Sequence, residues 1–253
     1  MPVYEDIRVA LEYQKDDDIP IIIPVFNTAT YLSSMVEQLE KLNLTNIIIC
    51  DNGSTYPPMM RLLDELSHKY HVVKWGKNMG PRVYTEDKDI CSKMPKNFIV
   101  TDPDLLFNPE MPKRAIDKMK RIIDTYGISK TGLAIDIDSP DERKRFFNAR
   151  QVDLWERNYW SRKVEQYPER DDLYAAPIDT TFCLYDRDKF LLEIDGVAGR
   201  MTCNTSAIRI AGRFTCRHMG WWADQPLTEE EYDFYKNTHT WSSTENEKKK
   251  LGY

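Results

Sequence analysis

The feature that most restricts this chain is an alternation of two hydrophobic periods through its N-terminal half. Residues 19–27 read IPIIIPVFN, a short apolar run rich in β-branched side chains that ends in a turn former, which is the pattern of a buried strand. Tyr31, Leu32, Met35, Val36, Leu39 and Leu42 then recur at helical spacing, and residues 46–50 (NIIIC) supply a second apolar run. Pro57 and Pro58 open a further helix, since the first amides of a helix need no internal partner, and Met59, Leu62, Leu63, Leu66 and Tyr70 line one side of it. Residues 71–75 close the unit as a third strand. Parallel neighbours need crossovers, so this order predicts a doubly wound α/β fold, largely parallel, with helices on both faces.

The pattern continues with less regularity. Residues 97–101 (NFIVT) form a fourth strand, and a helix over 111–126 carries Ile116, Met119, Ile122, Ile123 and Tyr126 until Gly127 stops it. A strand is expected over 132–137, and two more, over 179–185 and 213–217, bracket a weak helical pattern. Residues 141–172 are crowded with charges and aromatic rings and show no clean period. The tail 241–253 is polar, ends in Lys248 to Lys250 before LGY, and is expected to fray, with peripheral membrane contact as its alternative use. One domain spanning 1–253 is the simplest organisation.

Charge and cysteine usage narrow the function classes. Lys and Arg number 35 against 41 Asp and Glu, a net charge of −6, which disfavours a broad nucleic-acid surface while leaving room for a local basic pocket. No apolar run reaches the ~18 residues of a membrane span. Glu5, Asp6 and Asp16 to Asp18 stand where a signal peptide is basic and then apolar, so a cytoplasmic location is expected. Cys50, Cys91, Cys183, Cys203 and Cys216 contain no C-x-x-C pair and read as free, mostly buried thiols.

In a doubly wound sheet ligands bind beyond the carboxyl ends of the strands, and here each such position is polar or turn-forming. The first strand ends at Pro24-Val25-Phe26-Asn27, the second at Asp51-Asn52-Gly53-Ser54, the third at Asn78-Met79-Gly80-Pro81-Arg82, and the fourth at Asp102-Pro103-Asp104. Two carboxylates at i and i+2 in an extended segment point to one side, so Asp102 and Asp104 can share a hard divalent cation, Mn²⁺ or Mg²⁺. Asp-Pro-Asp is also a good turn, as is Asp51 to Ser54. Asp51 in this architecture can accept from a nucleoside. Arg82 offers a fixed fork of donors to a diphosphate if it faces the crevice.

Taken in order, IPVFN, CDNGST, the K-N-x-G turn and TDPD resemble the family-two nucleotide-sugar glycosyltransferases of the GT-A fold, closely over 19–110 and loosely beyond. The resemblance implies a nucleotide-sugar-binding half over 19–110 and a decorated acceptor-side half over 111–240. It assigns Pro24, Val25 and Asp51 to the nucleoside and Asp102 to the donor diphosphate, with Asn27, Asn78 and Arg82 at the strand ends expected to complete the donor site, and UDP is expected only by the habit of the family. It makes Asp102 and Asp104 ligands of Mn²⁺ or Mg²⁺. The segment AIRIAGRFTCRHMGWWAD looks like the end of such a catalytic core, which makes His218 the third metal ligand and sets Trp221 and Trp222 beside the sugar or acceptor, with core packing equally open to one of them. The acceptor so implied is a hydroxyl of a glycan or glycoconjugate.

One departure stands out. The acidic pair that usually precedes the late helix is missing from RMTCNTSAIRIAG, so Asp179 is expected as the base, with Asp195 as second choice. If neither carboxylate faces the leaving group, a retaining route follows. Two rivals share the same features: a nucleotidyltransferase, which lacks support because no Gly-rich basic loop follows the first strand, and a sugar-nucleotide or glycan-binding module that has lost its base.

Overall fold

The computed structural model describes residues 3–137, 156–164, 171–196, 204–222 and 226–238. The expectations for the core of the aromatic-rich region, for Cys203 and for the tail 241–253 lie outside these residues. The described strands form one sheet: β1 (Val3–Tyr4), β2 (Ile21–Val25), β3 (Ile47–Asp51), β4 (His71–Lys74), β5 (Asn97–Val100), β6 (Leu105–Phe107), β7 (Lys130–Ile135), β8 (Leu173–Ala175), β9 (Cys183–Asp186) and β10 (Ala207–His218). Their order is β1-β4-β3-β2-β5-β9-β7-β10-β6, with β8 also on β10.

The block β1-β4-β3-β2-β5 is parallel throughout, as the alternation of periods requires. Beyond β5 the sheet becomes mixed. β9 runs antiparallel between β5 and β7, and β10 is parallel to β7 but antiparallel to β6 and β8.

Helices cover both faces because the central strands carry apolar side chains on both sides. Ile21, Ile23 and Val25 of β2, with Ile47 and Ile49 of β3 and Ile99 of β5, pack under Leu32, Met35 and Leu39 of α2 (Ala29–Lys41), Met59 and Leu63 of α3 (Pro57–Ser67), and Met119 and Ile122 of α6 (Ala115–Tyr126). The intervening residues Ile22, Ile48, Cys50, Phe98 and Val100 face Ile7 and Leu11 of α1 (Ile7–Leu11), Tyr84 of α4 (Val83–Glu86), Ile90 of α5 (Lys88–Ser92) and Phe190 of α7 (Arg187–Glu193). Successive residues of a strand point to opposite sides, so one run of isoleucines supplies two cores.

Several elements differ from the sequence expectation for identifiable reasons. The leader is structured: Asp6 accepts from the Arg8 amide at 2.9 Å and caps α1, while β1 extends the sheet beside β4. The expected helix over 111–126 begins only at Ala115, and Gly127 ends it in the left-handed conformation with φ 63°. The strand expected from residue 179 starts at Cys183, because Phe182 at φ 41° turns the chain first. β10 is longer than its expected 213–217, since a bulge lets it continue: Ile210 pairs with Leu133, and the next pair is Thr215 with Ala134. Gly212 in that bulge has φ 65°, and a Cβ there would stand 2.8 Å from Asp171 Oδ1. A last helix, α8 (Glu229–Thr238), packs beside the start of α2.

Candidate functional site

β3 lies on one side of β2 and β5 on the other, so the direction of winding reverses between β2 and β5. In a doubly wound sheet such a reversal marks a crevice at the carboxyl ends of the strands. A cavity of ≈ 330 Å³ lies there. Its walls come from Pro24, Val25 and Phe26 after β2, Asn52 after β3, Asn78, Pro81 and Arg82 after β4, and Asp102 to Asp104 after β5. Asp179, Thr180, His218, Gly220 and Trp221 close it from the C-terminal half, and Tyr31, Leu227, Tyr232 and Tyr235 complete the rim.

Asp102, Asp104 and His218 meet at this cavity, each offering one ligand atom within 4.8 Å of the others. Asp102 lies two residues past the end of β5, and Asp104 immediately precedes β6. β6 pairs with β10 so that Leu105 lies opposite His218, and the Met219 amide donates to Asp104 O at 2.7 Å. That register brings the imidazole beside the second aspartate. Asp102 is fixed from the other side: its amide donates to Thr180 O at 2.8 Å, and its Oδ2 accepts from Thr180 Oγ1 at 2.6 Å.

The electrostatics are those of a site built for a cation. Burial pushes both carboxyls above their ordinary range, and repulsion from Asp104 raises Asp102 further. Burial pushes His218 down, so its neutral ring keeps a nitrogen lone pair available. His218 Nδ1 lies 3.2 Å from Asp104 Oδ2, yet that buried nitrogen makes no hydrogen bond. Its ring stacks on Trp221 with centroids 4.4 Å apart and planes 7° apart, which fixes its orientation. Two crowded carboxylates and an imidazole nitrogen without a hydrogen bond fit a divalent cation bound through oxygen and nitrogen.

The structure brings Arg82 and Asp179 together. Arg82 Nε donates to both Asp179 oxygens at 2.9 Å, with the arginine side chain mostly buried and the aspartate partly open to the cavity. Arg82 precedes α4, which is anchored by fully buried Tyr84. Asn78 also faces the cavity, while its Oδ1 accepts from the Gly80 amide at 2.8 Å and shapes the turn.

Other expected residues do not line the cavity. Asn27, with φ 53°, is completely buried, and its Oδ1 accepts from the amides of Thr55 and Tyr56 at 2.7 and 2.9 Å, while its Nδ2 donates to Thr238. It therefore ties β2, α3 and α8 together rather than facing a ligand. Asp51 is 3% exposed and accepts from the Ser54 amide at 3.0 Å, with burial pushing its carboxyl upward. Trp222 is buried under the Arg217 guanidinium, 3.8 Å from its ring centroid, and only Trp221 of the pair reaches the cavity. Asp195 is exposed and paired with Lys88 at 3.0 Å, away from the cavity wall.

Residues that sequence reasoning missed contribute most of the rim. α2 has no side-chain cap of its own at Thr28. Its early amide at Thr30 is taken instead by Glu231 Oε1 at 2.9 Å, and the Thr30 hydroxyl donates to Glu231 Oε2. This cap from the far end of the chain holds α8 over the cavity and so positions Tyr232 and Tyr235. Tyr31 and Tyr235 are kept protonated by burial first and by the nearby aspartates second. The available signal was Thr228-x-x-Glu231, a capping-box spacing ahead of tyrosines at i and i+3.

No family model and no curated protein matches the chain. Among solved structures it is similar to a TarS fragment (1–349) from S. aureus, with 10% identity, TM-score 0.47, and coverage of 79% of this chain and 60% of that one. It is also similar to the mannosyltransferase PcManGT from Pyrobaculum calidifontis, in complex with GDP-Man and Mn²⁺, with 11% identity, TM-score 0.48, and coverage of 90% and 65%. GalNAc-T7 with UDP, GalNAc and Mn²⁺ matches with 12% identity, TM-score 0.44, and coverage of 86% and 47%. The chain thus spans between 47% and 65% of the length of these structures.

Proposed function

We propose that the protein is a glycosyltransferase of the GT-A type, moving a sugar from a nucleoside diphosphate to a hydroxyl of a glycan or glycoconjugate. The observation that carries this reading is the convergence of Asp102, Asp104 and His218 at the winding reversal of the sheet, beside a cavity walled by polar and aromatic side chains. These residues would hold a divalent cation. The imidazole favours Mn²⁺ over Mg²⁺, which prefers oxygen alone. Once bound, such a cation supplies Lewis-acid stabilisation to a departing diphosphate.

The chain's own residues are suited to the remaining tasks. Pro24, Val25 and Asn78 flank the position for the nucleoside, and Trp221 with Tyr235 offers aromatic faces to sugar C–H surfaces while excluding water. Arg82 stands on the side of the base, its Nε donating to both Asp179 oxygens at 2.9 Å. Asp179 accepts the acceptor's proton as that oxygen bonds to the anomeric carbon, and the sugar–phosphate bond breaks with its electron pair leaving on the diphosphate. Attack from the face opposite the leaving group inverts configuration. The bidentate contact with Arg82 orients Asp179 while leaving further lone pairs on its oxygens.

Incubation with a panel of UDP- and GDP-sugars and Mn²⁺ tests this reading. Release of free nucleoside diphosphate, lost in Asp104→Ala and in EDTA, is the expected result. Donor binding without any turnover would instead favour a sugar-nucleotide-binding module, and the absence of both would refute the proposal.

A further inference from the structure

The cavity wall formed by residues 177–181 is held from every side. Each backbone carbonyl along it is taken by a donor from elsewhere in the chain. Pro177 O accepts from Arg209 Nε at 2.9 Å, Ile178 O from Lys130 Nζ at 2.8 Å, and Asp179 O from the Tyr185 hydroxyl at 3.2 Å. Thr180 O accepts from the Asp102 amide at 2.8 Å, and Thr181 O from the Leu133 amide at 3.2 Å. Two of these donors are cationic side chains out of solvent contact: Lys130 is 1% exposed and Arg209 5%. The Lys130 ammonium also sits 5.7 Å from the ring centroids of both Tyr185 and Phe190.

Taking the polar heads of a lysine and an arginine out of water is costly, and a connection on an ordinary surface carries no such expense. Strain falls on the same segment. Phe182, which is not glycine, adopts φ 41°, a left-handed conformation that bulky L residues rarely take. Gly132 of β7 leaves no clearance behind it, since a Cβ there would lie 2.9 Å from Thr181 O. Buried charge, strain and close backbone approach therefore coincide where the chain presents Asp179 and Thr180, the partners of Arg82 and Asp102.

We propose that Lys130 is a positioning residue that, with Tyr185 and Arg209, locks residues 177–181 so that Asp179 is held rigidly at the reacting centre. The role of Asp179 rests on the glycosyl-transfer reading; the locking of the segment does not. A long unbranched stem lets the ammonium reach from the first residue of β7 to Ile178 O. The carbonyl on the next residue, that of Asp179 itself, is fixed by Tyr185. A proton acceptor displaced by about 1 Å loses on the order of 100-fold in rate, which is the benefit such a lock confers.

Two variants test this, Lys130→Met and Tyr185→Phe, the second removing a single hydroxyl and keeping the ring. Hydrogen exchange of amides 178–182 is expected to accelerate about tenfold in Lys130→Met and about threefold in Tyr185→Phe, with β2 and β3 unchanged. Mn²⁺ affinity should stay within about threefold, and donor turnover should fall about 10- to 100-fold in kcat with little change in donor KM. Adding Lys130→Met to Asp179→Asn should cost less than about twofold more, because the lysine acts through that aspartate. Unchanged exchange in these amides, or losses from Lys130 and Asp179 that multiply, would overturn the proposal. If Lys130→Met does not fold, Tyr185→Phe carries the same comparisons. A wild-type protein without donor turnover would refute the functional reading alone, and the exchange comparison would still decide the lock.

Discussion

Replacing Asp104 with Asn should make the metal-free protein more stable while destroying its response to metal. In the folded chain the ligand atoms of Asp102 and Asp104 lie within 4.8 Å of each other. Two like charges at that distance repel by about 3.5 kcal/mol at an effective dielectric of about 20. Burial pushes both carboxyls upward, and repulsion from Asp104 raises Asp102 further. A group whose folded pKa is raised keeps its proton longer in the folded state, so stability falls as pH climbs from the ordinary carboxylate range near 3.8 into neutrality. Asp104→Asn removes one charge, and a gain of about 1 to 3 kcal/mol is expected at pH 7.5 in EDTA, about 3 to 10 °C in Tm for a chain of this size. The gain should shrink toward pH 4, where both carboxyls are protonated. Wild type at 100 times its Kd for Mn²⁺ should gain about 2.7 kcal/mol, and Asp104→Asn nothing. Differential scanning calorimetry with and without Mn²⁺ at several pH values reads all of these. A variant equal to or less stable than wild type without metal, or one still stabilised by Mn²⁺, would refute the argument.

Other consequences follow from particular contacts. Glu231→Ala removes the distant cap of α2 and should lower Tm by about 2 to 6 °C, equivalent to about 1 to 2 kcal/mol, whereas trimming the neighbouring Glu230 should leave Tm unchanged. Gly220→Ala should fold normally, because its new methyl meets Asp104 Oδ2 at 3.5 Å and His218 Nδ1 and Tyr31 at 3.9 Å, all ordinary contacts. The methyl intrudes beside the metal ligands, so calorimetry should find nucleotide-sugar affinity reduced about tenfold with Tm within about 2 °C of wild type. Asp171→Asn should cost about 3 to 5 kcal/mol by urea denaturation, because Asp171 is the buried counter-charge to Lys118 at 2.9 Å. Burial opposes the ionised form of Asp171, but hydrogen bonds from Arg213 and Lys118 outweigh it and hold the pKa at about 2; its contribution is present above pH 3.8 and fades as pH falls through about 2.

The parallel half of the fold was legible because its information is local. Apart from Asp51 at the end of β3 and Asn97 at the start of β5, each residue of β2, β3 and β5 is apolar, and such runs ending in turn formers can be satisfied only by strands covered on both faces. The antiparallel half was not, because β9 enters between β5 and β7 through pairings that no periodicity encodes. The start of β9 was misplaced for a related reason. Asp179 to Phe182 has the composition of a strand, but its carbonyls at 179, 180 and 181 accept from Tyr185, Asp102 and Leu133, and Phe182 turns left-handed instead of joining the ladder.

The candidate site divides along the same line. Asp102 and Asp104 are two residues apart, so a string alone brings their carboxylates together, whereas His218 reaches them only because β6 and β10 pair in the register that sets it opposite Leu105. A sequence can name such a histidine by its position after a late strand, but the contact itself is decided by sheet geometry. The polar residues at the strand ends have a further ambiguity: a side chain that binds a ligand and one that closes a turn carry the same groups. Asn27 and Arg82 illustrate it. Both follow parallel strands, yet Asn27 meets its hydrogen-bonding capacity with the amides before α3 and with Thr238, while Arg82 directs its guanidinium at a carboxylate on the cavity wall. The distinction rests on what the rest of the chain supplies. α8 offers Asn27 a hydrogen-bond partner in Thr238 and so removes it from the cavity, and the same helix, held through Glu231, brings Tyr232 and Tyr235 to the rim. One late helix therefore both closes off one expected contact and provides two unexpected ones, which is why the C-terminal end of the chain governs which of the N-terminal motifs remain open to a ligand.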